Sequence, residues 1–326
     1  MITVSHLEKH FKLNKHHKGK LSGVRNLFTP QYETVRAVDD VSFTVQAGEL
    51  VGYLGPNGAG KSTTIKMLTG LLVPSGGELE VNGRIPWKER RDYVSQIGAV
   101  FGQRTTLWWD LPVIESLELL QHIYKVPQIQ FQHNLEQFKK LLELTPFLNT
   151  PVRSLSLGQR MRADLCAALL HNPKLLFLDE PTIGLDVVAK ERIRHFIKHV
   201  NQQQGTTILL TTHDMADVQK LCNRVMIIDQ GKLLYDGKLD ALQTRFGGKR
   251  ELIVDFADEY ESVAVADAEV VERVNGRITY QFERNIISAS DLIGRLAAQY
   301  KIHDLSVREP DIEATIRRIY EEQLLV

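Results

Sequence analysis

Residues 55–62, GPNGAGKS, constrain this chain more than any other stretch. They fit G-x-x-x-x-G-K-[ST], follow a short apolar run at 50–54, and open a helix-like segment at 63–72. A strand turning through a glycine-rich loop into a helix belongs to an α/β architecture, with the loop at the carboxyl edge of a sheet. The glycines let the backbone wrap a phosphate chain, and the helix N-terminus aims N–H donors at it. Lys61 then supplies a cation for the β- and γ-phosphates, and Ser62 a hydroxyl for Mg²⁺. The candidate binding residues are therefore Gly55, Pro56, Asn57, Gly58, Ala59, Gly60, Lys61, Ser62 and Thr63. A glycine turn matching by accident would leave the flanking strand and helix without a reason.

The rest of the chain supplies the sheet. Residues 175–178, 207–210 and 225–228 are continuous apolar runs bounded by polar turns, as in strands buried on both faces. Helices fit between them at 188–202 and 215–221, while 2–7 and 41–45 alternate as strands around a long connection. Amphipathic stretches at 113–126 and 134–144 predict a helical segment over about 105–165. The apolar run at 175–178 ends in Asp179 and Glu180, which places two carboxylates at the carboxyl end of the sheet. Asp179 is the candidate Mg²⁺ ligand, acting through water, and Glu180 the candidate general base for an attacking water. These elements together predict a phosphate-loop ATPase or GTPase.

Composition changes near residue 245. Beyond it lie strand-like stretches at 251–256, 277–283 and 302–307, with helices at 289–300 and from Pro310. The expected organisation is a cassette over 1–245 and a small α+β domain over 246–326. The formal charge of zero is a cancellation, since residues 1–248 carry 30 basic against 24 acidic residues and the remainder 10 against 16. The basic excess sits at 9–25, where Lys9, Lys12, Lys15, Lys18, Lys20 and Arg25 occur without an acid. That stretch reads either as a solvated loop or as an arm facing an anionic surface. The overall balance argues against a wholly basic nucleic-acid binder. No apolar run is long enough to span a bilayer. The N-terminus lacks a secretory core, so the mature chain is expected to begin here. Cys166 and Cys222 lack motif spacing and read as buried small hydrophobes.

Residues 155–159, LSLGQ, resemble the signature motif of ATP-binding cassette (ABC) ATPases, usually LSGGQ. Other motifs of the family follow the same order: Gln103 resembles its Q-loop glutamine, residues 181–186 (PTIGLD) its D-loop, and His213 its switch histidine. No guanine-reading NKxD is present, which excludes a GTPase. The resemblance implies a phosphate-loop cassette with a RecA-like core, an antiparallel β subdomain and a helical subdomain. It also implies a head-to-tail dimer, with MgATP held between one phosphate loop and the opposite signature. On that footing Ser156, Gly158 and Gln159 would read the γ-phosphate, Gln103 would sense Mg²⁺, and His213 would hold the water geometry. Asp186 would couple the two sites. Leu157 departs from the family, where glycine is usual, while Ser156, Gly158 and Glu180 are retained. An aromatic after the first strand stacks on adenine in the family. Phe11 is favoured because it directly follows that strand, and Tyr32 competes if the insertion precedes it.

The combination LWWDLP, SLSLGQRMR and PTIGLDVVAK is similar to bacterial ATPases of the daunorubicin-resistance exporter type. This implies a homodimer or a paired ABC ATPase working with separate membrane permease subunits, peripherally at the cytoplasmic face of the membrane. Trp108 and Trp109 are the expected contact with such a permease. Residues 19–30 resemble an insertion of polysaccharide-exporter ATPases, with Leu21, Val24, Leu27 and Phe28 on one helical face. The basic arm, taken as about 12–31, would then face the membrane. The competing readings are a soluble ABC ATPase acting on ribosomes or DNA, and a regulatory nucleotide sensor.

Overall fold

The computed structural model describes residues 1–15, 31–102, 104–260, 263–274, 276–310 and 312–321. The chain falls into two compact units, Met1–Asp236 and Gly237–Val326.

The first unit opens with two long antiparallel strands, β1 (Ile2–Lys15) and β2 (Gln31–Val45). Between them and β4 (Gly76–Val81), which pairs with the other edge of β1, come β3 (Leu50–Leu54) and helix α1 (Lys61–Leu68). Helix α2 (Arg90–Val94) and β5 (Ile97–Phe101) lead into a helical region. That region contains α3 (Val113–Ile123), α4 (Gln128–Leu141) and α5 (Leu157–Leu169). The chain then alternates through β6 (Leu175–Asp179), α6 (Val187–Gln204), β7 (Thr207–Thr211), α7 (Met215–Leu221), β8 (Arg224–Asp229) and β9 (Lys232–Lys238).

The large sheet runs β5-β6-β7-β3-β8-β9, with β5, β6, β7, β3 and β8 parallel. Leu175, Leu176, Phe177 and Leu178 of β6 are fully buried, as are Val225, Met226, Ile227 and Ile228 of β8. Each such side chain contributes roughly 1.5–3 kcal/mol of burial, which explains why these runs lack a polar alternate face. Because β3 lies between β7 and β8, and β6 beside β7, the carboxyl ends of β3, β6 and β7 open on one edge of the sheet. Both cysteines are free and buried, and burial pushes the Cys166 thiol up to about 12.

Several boundaries differ from the sequence expectation. Helix α1 stops at Leu68 instead of continuing to 72, because Gly70 takes a left-handed φ of +72°. A Cβ at Gly70 would stand 2.8 Å from the Pro86 carbonyl oxygen, so the turn is fitted to glycine. Helix α3 ends before Lys125, which turns the chain at φ +54°. Strand β1 reaches Lys15, so Lys9 and Lys12 are strand residues paired with Val38 and Thr34, and not part of a loop. The proposed amphipathic element with Leu21, Val24, Leu27 and Phe28 lies outside the described residues, and so does Gln103.

The second unit holds α8 (Leu239–Phe246), β10 (Arg250–Phe256), β11 (Ala268–Val274), β12 (Arg277–Phe282), α9 (Ala289–Gln299), β13 (Ile302–Arg308) and α10 (Ile312–Glu321). Its antiparallel sheet runs β11-β12-β10-β13, around a core of Leu252, Val254, Ile278, Tyr280, Phe282, Leu292 and Leu296. Strand β11 escaped the sequence reading because a register shift between Val270 and Glu272 sets two valines side by side and breaks the alternation of a strand. No helix among the described residues is long and apolar enough to cross a membrane.

Candidate nucleotide site

The loop between β3 and α1 depends on its glycines for shape. Gly58 and Gly60 have φ of +85° and +110°, in the region that side chains with a Cβ avoid. A Cβ at Gly60 would lie 2.4 Å from the Ala37 carbonyl oxygen, and one at Gly55 2.4 Å from that of Ile228. The loop is therefore pressed between β2 and β8, while Pro56, Asn57 and Gly58 stay exposed. Ala59 is clasped from both sides: its N–H donates to Pro56 (3.2 Å) and its carbonyl accepts from Gly231 N–H (3.0 Å). Lys61 is buried, and its Nζ donates to the carbonyls of Gly55 (2.7 Å) and Pro56 (3.1 Å). Burial lowers the Lys61 pKa, and the carboxylates of Glu180 and Asp179 oppose that shift.

Those carboxylates come from the end of β6. Asp179 Oδ1 accepts from Ser62 Oγ at 3.2 Å and from Thr211 Oγ1 at 2.5 Å. Register explains the second bond, since Asp179 and Thr211 are partners across β6 and β7. Glu180 takes an unusual φ of +56°, and its N–H donates to both the carbonyl (3.0 Å) and the hydroxyl (3.2 Å) of Thr211. Its Oε2 lies 2.6 Å from His213 Nδ1. The backbone just before Gln103 approaches the same point: Gly102 N–H donates to the Asp179 carbonyl at 2.8 Å. A Cβ on Gly102 would stand 2.3 Å from Glu180 O. The structure thus gathers residues 55–63, Asp179, Glu180 and His213 into one group.

Ser156, Gly158, Gln159 and Asp186 form a second group at the starts of α5 and α6. Ser156 caps α5 in a reciprocal capping box, Gln159 N–H donating to Ser156 Oγ (3.2 Å) and Ser156 N–H to Gln159 Oε1 (2.9 Å). Asp186 caps α6 by accepting from Ala189 N–H at 2.8 Å. Leu157, the departure from LSGGQ, fits over Gly184, where an added Cβ would meet Leu157 Cδ2 at 3.1 Å. The larger side chain is thus accommodated by a glycine of the PTIGLD segment. No hydrogen bond among the described residues joins Ser156, Gly158 or Gln159 to the 55–63 loop.

Phe11 and Tyr32 share the β1–β2 ribbon. Phe11 pairs with Val35 and Tyr32 with Asn14. The ribbon touches the loop through Ala37, two residues from Val35 and five from Tyr32. At ~3.4 Å per residue, Phe11 is level with a point much nearer the loop. Lys9 Nζ sits 5.3 Å from the Phe11 ring centroid.

Sequence reasoning missed the groups that hold these residues still. Thr211 fixes the Asp179 carboxylate and the backbone of Glu180. Asp217, fully buried, accepts from Thr182 Oγ1 (2.5 Å), Arg194 Nε (2.5 Å) and Thr212 Oγ1 (3.1 Å). It thereby ties the PTIGLD segment to the residue preceding His213. No spacing rule reveals such contacts, because they arise from strand register and helix packing.

Ser62 and Asp179 offer a hydroxyl and a carboxylate side by side, the hard oxygen donors that suit Mg²⁺. No group of three or more His, Cys, Asp or Glu that could hold a metal occurs among the described residues. That sparse set fits an ion completed by water and phosphate oxygens, as Mg²⁺ in nucleotide sites is.

A family model described as ABC transporter matches residues 38–183. The ABC transporter ATP-binding protein NatA of Bacillus subtilis is 35% identical over 215 residues, covering 66% of this chain and 87% of its own length. The methionine import ATP-binding protein MetN 2 of Enterococcus faecalis is 30% identical over 305 residues, covering 91% of this chain and 88% of its own. That coverage extends into the second unit. Among solved structures, the dimer of an ATP-binding cassette in a post-hydrolysis state, bound to ADP and Pi, superposes with a TM-score of 0.61 at 26% identity. It covers 73% of this chain and 99% of that one.

Proposed function

This chain belongs to the ABC transporter ATP-binding proteins, which bind and hydrolyse ATP, and from that premise we propose that it works as half of a head-to-tail pair closing around MgATP. The observation that carries the proposal is the separation of its two groups. The phosphate loop with Asp179, Glu180 and His213 stands in one place, while the Ser156 cap stands in another, without a hydrogen bond between them among the described residues. Each is half of a site that a second copy, or a paired ATPase, completes. The dimeric cassette bound to ADP and Pi supports pairing of two cassettes.

In this reading the glycine loop and the N-terminus of α1 cradle the phosphates, and Lys61 exchanges its backbone carbonyl partners for phosphate oxygens. Phe11 stacks on adenine, its nearness to the loop favouring it over Tyr32. Ser62, Asp179 and Gln103 would hold Mg²⁺, which would supply positive charge beside the phosphates. Glu180 takes a proton from the attacking water as the bond between the γ-phosphorus and the bridging oxygen breaks. His213, at 2.6 Å, keeps that carboxylate aimed. Ser156 Oγ accepts its capping bond from Gln159, which leaves the hydroxyl hydrogen free for the partner's γ-phosphate. Gly158 and Gln159 keep that cap in shape, and Asp186 fixes the start of α6 at the junction between the sites.

Trp108 and Trp109, 39% and 49% exposed, offer aromatic anchors for a membrane permease at the cytoplasmic face of the membrane. The motifs LWWDLP and PTIGLDVVAK support export by their resemblance, although MetN 2 is named for import. The second unit is assigned a regulatory or dimer-stabilising role. Replacing Glu180 by Gln tests the core of this reading. The variant should lose turnover and sediment as a dimer with MgATP; normal hydrolysis by Glu180→Gln would remove Glu180 as the base.

A further inference from the structure

One buried carboxylate that this mechanism leaves unused holds the stretch between Gln103 and the tryptophans. Asp164, on α5 and only 4% exposed, presents Oδ1 to three donors. These are Thr105 Oγ1 at 2.8 Å, Thr106 N–H at 2.9 Å and Thr106 Oγ1 at 3.1 Å. The next residues are fastened to the same part of the fold. The Arg160 guanidinium, one turn earlier on α5, lies 4.9 Å from the Trp109 ring centroid. Arg153 N–H donates to the Trp109 carbonyl at 2.9 Å, and Arg153 pairs with Asp110 at 2.6 Å. Residues 105–110 are therefore anchored, end to end, to the helix capped by Ser156 and the turn that precedes it.

We propose that Asp164 is a positioning residue that fastens Thr105 and Thr106 to α5, so that the Ser156 cap and the tryptophan surface move as one body when nucleotide binds. This rests on the ATP-driven closure proposed above. A carboxylate suits the task better than a neutral acceptor, because a charged acceptor strengthens each of its hydrogen bonds. The same choice makes the fastening sensitive to pH. Burial raises the Asp164 carboxyl to about 6, against the pull of the threonine donors and Arg160. Among its neighbours β5 is uncharged, and Glu115, Glu118 and His122 of α3 and Arg104 beside Thr105 are exposed, which leaves Arg160 as the charge that faces it. Below that pH the carboxyl becomes a neutral acceptor, much as asparagine is at any pH.

The test uses the full chain with Trp87→Phe, leaving Trp108 and Trp109 as its tryptophans, with and without Asp164→Asn. At pH 8 the variant should bind a fluorescent ATP analogue within twofold of its parent, yet show a tryptophan response to MgATP at least threefold smaller. The parent's response should fall between pH 8 and pH 5, around pH 6, to that of the variant, whose own response stays flat. Equal responses with equal pH profiles would overturn the proposal. Hydrogen exchange without nucleotide gives a second reading. With Asp164→Ala, the peptide containing Thr106 should exchange about tenfold faster, near the worth of one hydrogen bond to a charged group, while α5 keeps its protection. Absence of ATP binding in both proteins would overturn the ATPase reading alone, and unchanged exchange at Thr106 would then overturn the fastening.

Discussion

Replacing Gly60 by Ala probes the phosphate loop where the structure is least forgiving. Two costs add. The residue sits at φ +110°, and a left-handed backbone costs a residue with a Cβ roughly 1–2 kcal/mol. The new methyl would also stand 2.4 Å from the Ala37 carbonyl oxygen, so the loop or β2 must move. Overpacking of that kind costs about 1–3 kcal/mol, giving a loss of roughly 2–5 kcal/mol in all. Gly58→Ala is the matched control. Its φ of +85° carries the same backbone strain, but a Cβ there meets nothing within 4 Å. Urea unfolding of the two variants should therefore differ by about 1–3 kcal/mol, with Gly60→Ala the weaker. Steady-state kinetics should show ATP turnover lowered by on the order of a hundredfold in Gly60→Ala, since a 1 Å misplacement carries that scale of penalty in rate. Equal stabilities for the two variants would refute the claim that β2 holds the loop in shape.

Two further outcomes follow from hydrogen bonds and protonation. Thr211→Val preserves shape but removes the donor to Asp179 and the hydroxyl acceptor of Glu180 N–H, whose bond to the Thr211 carbonyl stays; steady-state kinetics should show kcat reduced about 10- to 100-fold, on the scale of a charge-assisted hydrogen bond. A kcat within twofold of the parent would remove Thr211 from the site. Asp164 binds its proton more tightly in the folded chain than in the unfolded one, because burial raises its pKa from 3.8 to about 6. Its contribution to stability is therefore full below about pH 4 and is lost as pH rises through about 6. Between pH 7.5 and pH 5 the parent should gain about 1.4 kcal/mol over Asp164→Asn in denaturant unfolding, and a constant difference would show that Asp164 does not titrate in this range.

The elements that sequence revealed best were those with a single physical cause. Residues 175–178 and 225–228 had to be strands buried on both faces, because no polar face interrupts them, and the glycine loop announced its own turn. Ends of elements were harder. Gly70 stops α1 short of residue 72, and the close approach of Pro86 that fits this turn to glycine is a tertiary fact. Strand β11 stayed hidden because the register shift between Val270 and Glu272 interrupts its hydrophobic rhythm. In the site, the residues of recognisable motifs were legible, whereas Thr211, Asp217 and Asp164 were not. Their roles follow from which strand lies beside which, and from what a helix packs against, not from spacing along the chain.

The claim that two chains share each catalytic site can be tested by mixing two defective variants. Lys61→Ala spoils the phosphate loop but leaves Ser156 intact, and Ser156→Ala does the reverse. Alone, each should hydrolyse ATP far more slowly than the parent. Mixed in equal amounts, they should recover up to about a quarter of the parent rate, because half of the dimers then carry one intact composite site. A mixture no more active than the average of its two components would contradict the shared site.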